Sequence, residues 1–266
     1  MIDAHCHIDF ASFDNQRKQL LASCFQTGIR RIVVPGTIRE SWRKILNLAW
    51  EHPILLPALG LHPWWAAQAN DDSLDELEQL LAVNNQIVAV GECGLDIRRG
   101  PPLAQQRGIF EAQIHLAQRY DRPLLIHSVG THDTVLSLLR QAHFEPPVLM
   151  HGFSGSWEQA RALVDRGAFI GVSGVITHGR ARKTHRVMAD LPLESLVLET
   201  DAPGLAPEGV SSEGNTPLNL PRILDALCAL RKEPKELVAG HVRENTLRLF
   251  MQRMNDEGLQ EQGAPV

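Results

Sequence analysis

The feature that most constrains the fold of this chain is a series of short apolar runs rich in Val, Ile and Leu. They lie at Ile2–His5, Arg31–Val34, Ile54–Leu59, Ile87–Gly91, Pro123–His127, Pro147–His151, Phe169–Val172 and Leu196–Thr200. Polar alternation within them is slight. A strand with one wet face alternates, whereas a strand buried on both faces does not, so the pattern predicts a parallel sheet covered by helices. Amphipathic stretches lie between the runs. In 103–120 the apolar stripe is Phe110, Ile114 and Ala117; in 217–231 it is Leu220, Ile223, Leu224 and Leu227; in 234–253 it is Val238, Val242, Asn245 and Leu249. Ser73 followed by Glu76 predicts a capping box opening a helix over 74–84. Eight strands alternating with helices, without an evident linker, predict one (β/α)8 TIM barrel, a single domain over 1–266. The structural runner-up, an open doubly wound sheet, would have fewer strands and usually a Gly-rich loop after the first one. Asp9–Phe13 is not such a loop.

Composition narrows the class further. The length of 266 residues suits a barrel of this kind. With 44% hydrophobic and 21% charged residues, the chain has enough apolar surface to offset its conformational entropy, which excludes disorder. No apolar run approaches the roughly 18 residues of a membrane span. The opening Met-Ile-Asp-Ala-His has neither a basic nor an apolar signal region. Cys6, Cys24, Cys93 and Cys228 form no CxxC pair, which fits a reducing compartment and a cytoplasmic enzyme. A net charge of -5 argues against a generally basic, nucleic-acid-coating surface and leaves room for a local basic patch.

The chemistry lies in where the histidines and acids fall. His5 and His7 bracket the end of the first run, His62 follows the third, Glu92 follows the fourth, His127 and His151 end the fifth and sixth, and Asp201 follows the eighth. In a barrel these C-terminal strand ends converge on one rim, where active sites are built. The period-two spacing of His5-Cys6-His7 lets both imidazoles face the barrel mouth. Imidazole suits Zn, Mn, Fe or Ni, and carboxylates add oxygen ligation. One strand-end histidine is most often a hydrogen-bonded structural residue; the whole set points to metal. Glu199 and Asp201 share strand parity, and at least one should reach the metals. Glu199 is the weaker ligand candidate and can instead orient a ligand histidine. Asp3 shares the parity of His5 but lies deeper, so it reads as a buried, hydrogen-bonded acid. Cys93 reads as a small packing residue.

The segments DAHCHIDF (3–10), GLHP (60–63), GECGLD (91–96), IHSVGTHD (126–133), HGFSGS (151–156), IGVSGVIT (170–177), LETDAP (198–203) and NTLRLF (245–250) span almost the whole chain. Together they resemble the TatD family of metal-dependent deoxyribonucleases and hydrolases, within the amidohydrolase-like barrels. The resemblance implies that His5, His7, Glu92 and Asp201 hold one divalent ion. It implies that Glu92, His127 and His151 hold a second, with Glu92 bridging. The chain departs from the family pattern at Val129, where many members carry Arg.

Two dications outweigh the charge of Glu92 and Asp201, so the site suits an anionic substrate. The stretch Thr177–Arg186 carries four Lys or Arg residues and two His, and could hold a phosphate chain or be a solvated helix face. Arg98 and Arg99 could join it. Trp64 and Trp65 could stack on bases or make core contacts.

The expected function is a divalent-metal-dependent hydrolase, a deoxyribonuclease cleaving phosphodiester bonds with a hydroxide held between two metal ions (Zn, Mn, Mg or Ni). Asp201 and Glu92 are the candidate catalytic residues, Asp201 taking or steering the proton. His62, Arg180 and Arg182 are the candidate substrate-binding residues. The expected partner is DNA or another phosphodiester, with no membrane and no obligate protein partner. The alternatives are an amide or ester hydrolase, including one that deacylates aminoacyl-tRNA, and a non-catalytic binding protein. The last is disfavoured because no ligand position is degraded.

Overall fold

The computed structural model describes residues 1–145 and 147–250. The expected continuation of the last helix to 253, and the end of the expected domain over 251–266, lie outside the described residues. The strands are β1 (Ile2–Asp3), β2 (Arg31–Pro35), β3 (Leu55–Leu59), β4 (Ala89–Asp96), β5 (Leu124–Val129), β6 (Val148–Met150), β7 (Phe169–Val172) and β8 (Leu196–Leu198). The helices are α1 (Arg17–Gln26), α2 (Arg39–Glu51), α3 (Asp71–Val83), α4 (Leu103–Arg119), α5 (His132–Gln141), α6 (Trp157–Val164), α7 (Arg182–Asp190), α8 (Leu220–Leu230) and α9 (Lys235–Phe250). The strands form one eight-stranded sheet in sequential order, with parallel neighbours throughout. The edges are joined where Ala4 N–H donates to Leu198 O (2.9 Å) and Asp201 N–H donates to His5 O (2.8 Å). The expected barrel is therefore present.

The period of two sorts the side chains into two layers. Val33, Leu56, Ala58, Leu125, Leu149 and Val197 fill the barrel interior, where Leu249 and Phe250 of α9 join them. Their neighbours Ile32, Val34, Leu55, Leu59, Leu124, Ile126, Leu196 and Leu198 point outward and pack under the helices. Phe110, Ile114 and Ala117 of α4, and Leu220, Ile223, Leu224 and Leu227 of α8, meet them as the helical spacing predicts. Among the described residues no helix is long and apolar enough to cross a membrane.

Three local expectations need correction. The first concerns strand ends. The β1 ladder stops at Asp3, and the chain continues through single bonds such as Cys6 N–H to Val33 O (3.0 Å) and His7 N–H to Ala202 O (2.9 Å). Second, Glu92 does not follow β4 but lies within it. The register slips between Val90 and Cys93, an irregularity that re-aims side chains locally. Third, the cap of α3 is Asn70, not Ser73. Asn70 accepts the Ser73 N–H at 3.0 Å, and Ser73 Oγ accepts the Asn70 N–H at 2.9 Å. Asparagine caps at least as well as serine, and this start places Asp71 and Asp72 in the first turn, where the helix dipole favours them. Glu76 instead pairs with Arg39 on the surface.

Asn70→Ala should therefore lower unfolding stability by about 1 kcal/mol in urea denaturation. Glu76→Ala should stay within about 0.5 kcal/mol of the parent, as surface changes usually do. The opposite ranking would restore the cap to Ser73.

Candidate metal centre

Glu92 is buried at 2% exposure, and five imidazole nitrogens surround its carboxylate. Oε2 lies 3.3 Å from His5 Nε2 and 3.2 Å from His7 Nε2. Oε1 lies 3.0 Å from His151 Nε2, 3.1 Å from His127 Nδ1 and 3.1 Å from His62 Nε2. Asp201 Oδ1 stands 3.5 Å from both His5 Nε2 and His7 Nε2, which are themselves 3.2 Å apart. Thus His5, His7, His62, Glu92, His127, His151 and Asp201, scattered along the sequence, meet at one barrel mouth. Arg180 and Arg182 do not join them. They are exposed, and their side chains have no hydrogen bond or ion pair among the described residues.

The electrostatics of the cluster call for positive charge. Burial opposes ionisation of Glu92, yet His62, His151 and His5 hold its carboxyl well below the usual range. Asp201 is also lowered: burial opposes its charge, and the His7 hydrogen bond with the nearby imidazoles overcomes that penalty. Burial likewise works against a charged His151, but Glu92, Asp201 and Glu199 raise it to about 9. His5 goes the other way, to about 4, through burial and its neighbour His151. Their rings stack 3.9 Å apart.

The donor set fits divalent metal. Three groups of ligand atoms each lie within 4.8 Å of one another: His5, Glu92 and His151; His5, His7 and Asp201; His62, Glu92 and His127. Imidazole with carboxylate is the ligand chemistry of Zn, Mn and Ni. Two close Nε2 atoms facing the same two carboxylates are well placed to share a cation.

His62 is a weaker ligand candidate than its position suggests. Its Nδ1 accepts the backbone N–H of Trp64 at 3.1 Å. A neutral ring then carries its proton on Nε2, which makes that atom a donor toward the centre.

Braces lie behind the ring of histidines. Glu199 Oε1 accepts the Gly152 N–H at 2.6 Å and sits 3.9 Å from His151 Nδ1. A side chain at residue 171 would collide with this carboxylate, so Gly171 provides its space. Burial raises the Glu199 carboxyl to about 8, partly offset by His151 and Gly152. Asp3 is the buried acid expected: its Oδ1 accepts Thr200 N–H at 2.9 Å and its Oδ2 the Thr200 hydroxyl at 2.6 Å. Cys93 packs in the core. Asp201 has φ of 49°, so it stands on a turn after β8 and not on an extended strand with Glu199. Strand parity alone therefore did not bring it to the site; an aspartate tolerates that left-handed backbone.

Asp96 is a residue the sequence reading missed. Its Oδ2 lies 3.1 Å from His127 Nε2 and accepts the Trp64 indole N–H at 2.6 Å. Burial opposes its charge, but bonds from Trp64, Arg98 and His127 hold the carboxyl below its ordinary value. A signal was present, since Glu92, Gly94 and Asp96 share parity along β4. Trp64 carries the Arg99 guanidinium 4.7 Å over its ring, and Trp65 is exposed.

A model of the TatD-related DNase family matches residues 2–251. The metal-dependent hydrolase YjjV of Escherichia coli K12 is 41% identical, over 94% of this chain and 97% of its own. The crystal structure of that protein superposes with a TM-score of 0.90. The 3'-5' ssDNA/RNA exonuclease TatD of Salmonella typhimurium is 32% identical over 94% of this chain and 98% of its own. A TatD-family hydrolase from Entamoeba histolytica, 19% identical over 94% of this chain and 98% of its own, shares the fold with a TM-score of 0.86. This chain belongs to the TatD-related DNase family of metal-dependent hydrolases.

Proposed function

We propose that this protein hydrolyses phosphodiester bonds of nucleic acid, DNA in the first instance, with two divalent ions at the barrel mouth and the chain acting as one catalytic unit. The observation that carries the reading is the division of Glu92. Its Oε2 faces His5, His7 and, beyond them, Asp201, while its Oε1 faces His127 and His151. We assign His5, His7, Glu92 and Asp201 to one ion and Glu92, His127 and His151 to the other. When bound, such ions would lower the pKa of water and screen the phosphate charge. The name of the Salmonella relative, a 3'-5' ssDNA/RNA exonuclease, supports a nucleic-acid substrate.

The residues then divide the work. Asp201, with a side chain 13% exposed against 3% for Glu92, is the carboxylate open to solvent and substrate, and it accepts the proton of the attacking water. His62 presents its Nε2–H to a phosphate oxygen, because its Nδ1 is occupied by Trp64. Glu199, its Oε1 bonded to Gly152 N–H and 3.9 Å from His151 Nδ1, places negative charge behind that ring and favours the proton on Nδ1. Arg180, exposed on the loop leading into α7, and Arg182, exposed at the start of that helix, draw in the phosphate chain. His178 before α7 and His185 within it serve other ends. His178 Nε2 contacts Ala206 O at 2.9 Å and His185 Nε2 contacts Ile176 O at 2.8 Å, which shapes the segment that displays the arginines.

The first test is metal content. Protein loaded with Zn or Mn and dialysed should retain two ions per chain by elemental analysis. Glu92→Ala should lose at least one ion and its activity while keeping a parental circular dichroism spectrum. Parental turnover in that variant would overturn the two-ion reading.

The second test separates the two acids that follow β8. Asp201→Asn should slow turnover by about 10²–10⁴ even at saturating metal, the usual range for loss of a general base. Glu199→Gln should cost about 10–100-fold, as for other groups that orient ligands, and should recover with excess metal. If Glu199→Gln is the more damaging at saturating metal, the roles are exchanged.

The third test addresses the substrate. Loaded enzyme should cleave single-stranded DNA or RNA in preference to carboxylic esters and amides, and EDTA should abolish cleavage. Replacing Arg180 and Arg182 by Gln should raise KM for the polynucleotide, and more so at low salt, where phosphate contacts are strongest. Hydrolysis of esters or amides alone, indifferent to the arginines, would make the protein an acyl hydrolase.

A further inference from the structure

Asp96 has no part in the reaction described so far, yet it is among the most heavily bonded side chains of the mouth. Its side chain is 2% exposed. Oδ1 accepts the backbone N–H of Arg98 at 2.7 Å and of Arg99 at 3.1 Å. Oδ2 accepts the Trp64 indole N–H at 2.6 Å and faces His127 Nε2 at 3.1 Å. Its backbone is held as well. Gln106 Oε1 accepts the Asp96 N–H at 2.8 Å, and Gln106 Nε2 donates to Asp96 O at 2.9 Å and Pro101 O at 2.7 Å.

The chemistry of these partners decides where the proton of His127 sits. Backbone amides and an indole only donate, so the carboxylate acts as acceptor toward Arg98, Arg99 and Trp64. If His127 Nε2 were unprotonated, two lone pairs would face each other across 3.1 Å. Nε2 must therefore carry a proton and donate it. The other nitrogen, Nδ1, lies 3.1 Å from Glu92 Oε1; it shares a proton with that carboxylate only while no cation is bound, and is the nitrogen left to offer a lone pair when one is. We propose that Asp96 is a positioning residue that locks His127 with its proton on Nε2 and thereby aims Nδ1 at the second ion. The same oxygen anchors the indole of Trp64, whose backbone N–H occupies His62 Nδ1. One carboxylate thus sets His127 directly and His62 through Trp64. A carboxylate behind a metal-bound imidazole is a general way of fixing ring angle and tautomer. This one also ties the ring to the β4 loop and to the tryptophan at the mouth.

The proposal rests on the two-ion reading, and the experiment separates the two. In wild-type protein loaded with Zn²⁺ and labelled with ¹⁵N-histidine, long-range ¹H–¹⁵N correlation should show His127 protonated on Nε2 with Nδ1 metal-shifted. The reverse pattern would overturn the proposal without any variant. Metal-free Asp96→Asn, titrated with Mn²⁺ and followed by electron paramagnetic resonance, should bind the first ion as the wild type does. It should bind the second about 10- to 100-fold more weakly, the usual cost of losing a ligand's brace. Unchanged second-ion affinity, or equal weakening of both ions, would overturn the role of Asp96 alone. Failure of the wild type to take up two ions would overturn the two-ion reading and this proposal with it.

Discussion

A buried carboxylate that must be neutralised organises this protein. Removing an ion of that size from water costs several kcal/mol after relaxation, and only close opposite charge or good hydrogen bonds repay it. Glu92 is placed within β4 by a slip in register, so its environment comes from its neighbours around the barrel. The segments after β1, β3 and β6, with β5 itself, supply the five rings at its two oxygens. Asp201 adds a second negative charge within reach of His5 and His7. With two acids in one pocket, His151 is driven to about 9 and His7 is raised well above its ordinary value, against the effect of burial. Two buried carboxylates facing that many imidazole nitrogens are electrostatically prepared for cations.

That demand propagates outward. The fold sets further carboxylates behind two of the histidines. Glu199 stands behind His151 in space left by Gly171. Asp96 stands behind His127, with its own backbone clamped by Gln106. Burying these acids is costly for stability, and Glu199, raised to about 8, bears that cost openly. The apolar layers inside and outside the barrel provide the compensation, which is how polar functional sites are generally sustained.

The cations and indoles around the mouth lie in a different part of the molecule. The mouth residues sit on strand ends and do not move far without the barrel. Trp64, Trp65, Arg98, Arg99 and Arg180 sit on connecting loops, which vary more freely. At the end of β5 the position where many relatives carry Arg is Val129, followed by Gly130 with φ of 68° against the Ile97 side chain. That edge of the mouth is apolar, and the cations of the neighbouring loop are Arg98 and Arg99.

The barrel and most of the site were legible in the sequence because both follow from local rules. Short unalternating runs rich in Val and Ile read as strands buried on both faces, because buried helices are longer. In a barrel their C-terminal ends share a rim, so histidines and acids at those ends meet without any coordinate being known. The same logic identified Asp3 as a buried acid and Glu199 as a brace. What the sequence could not decide depends on contacts between distant segments or on a choice between nearly equal local options. Asn70 and Ser73 are both good caps, and the position of the first turn chose between them. The slip that turns Glu92 inward shows only in the pairing of β4 with β5, where Gly91 leaves the room that a side chain against Leu125 would fill. Asp201 arrives on a left-handed turn that strand parity does not foresee. Asp96 acquires its role from Trp64 and His127, 32 and 31 residues away in the chain. Periodicity encodes which face a residue takes; only the closed barrel decides which other faces it meets.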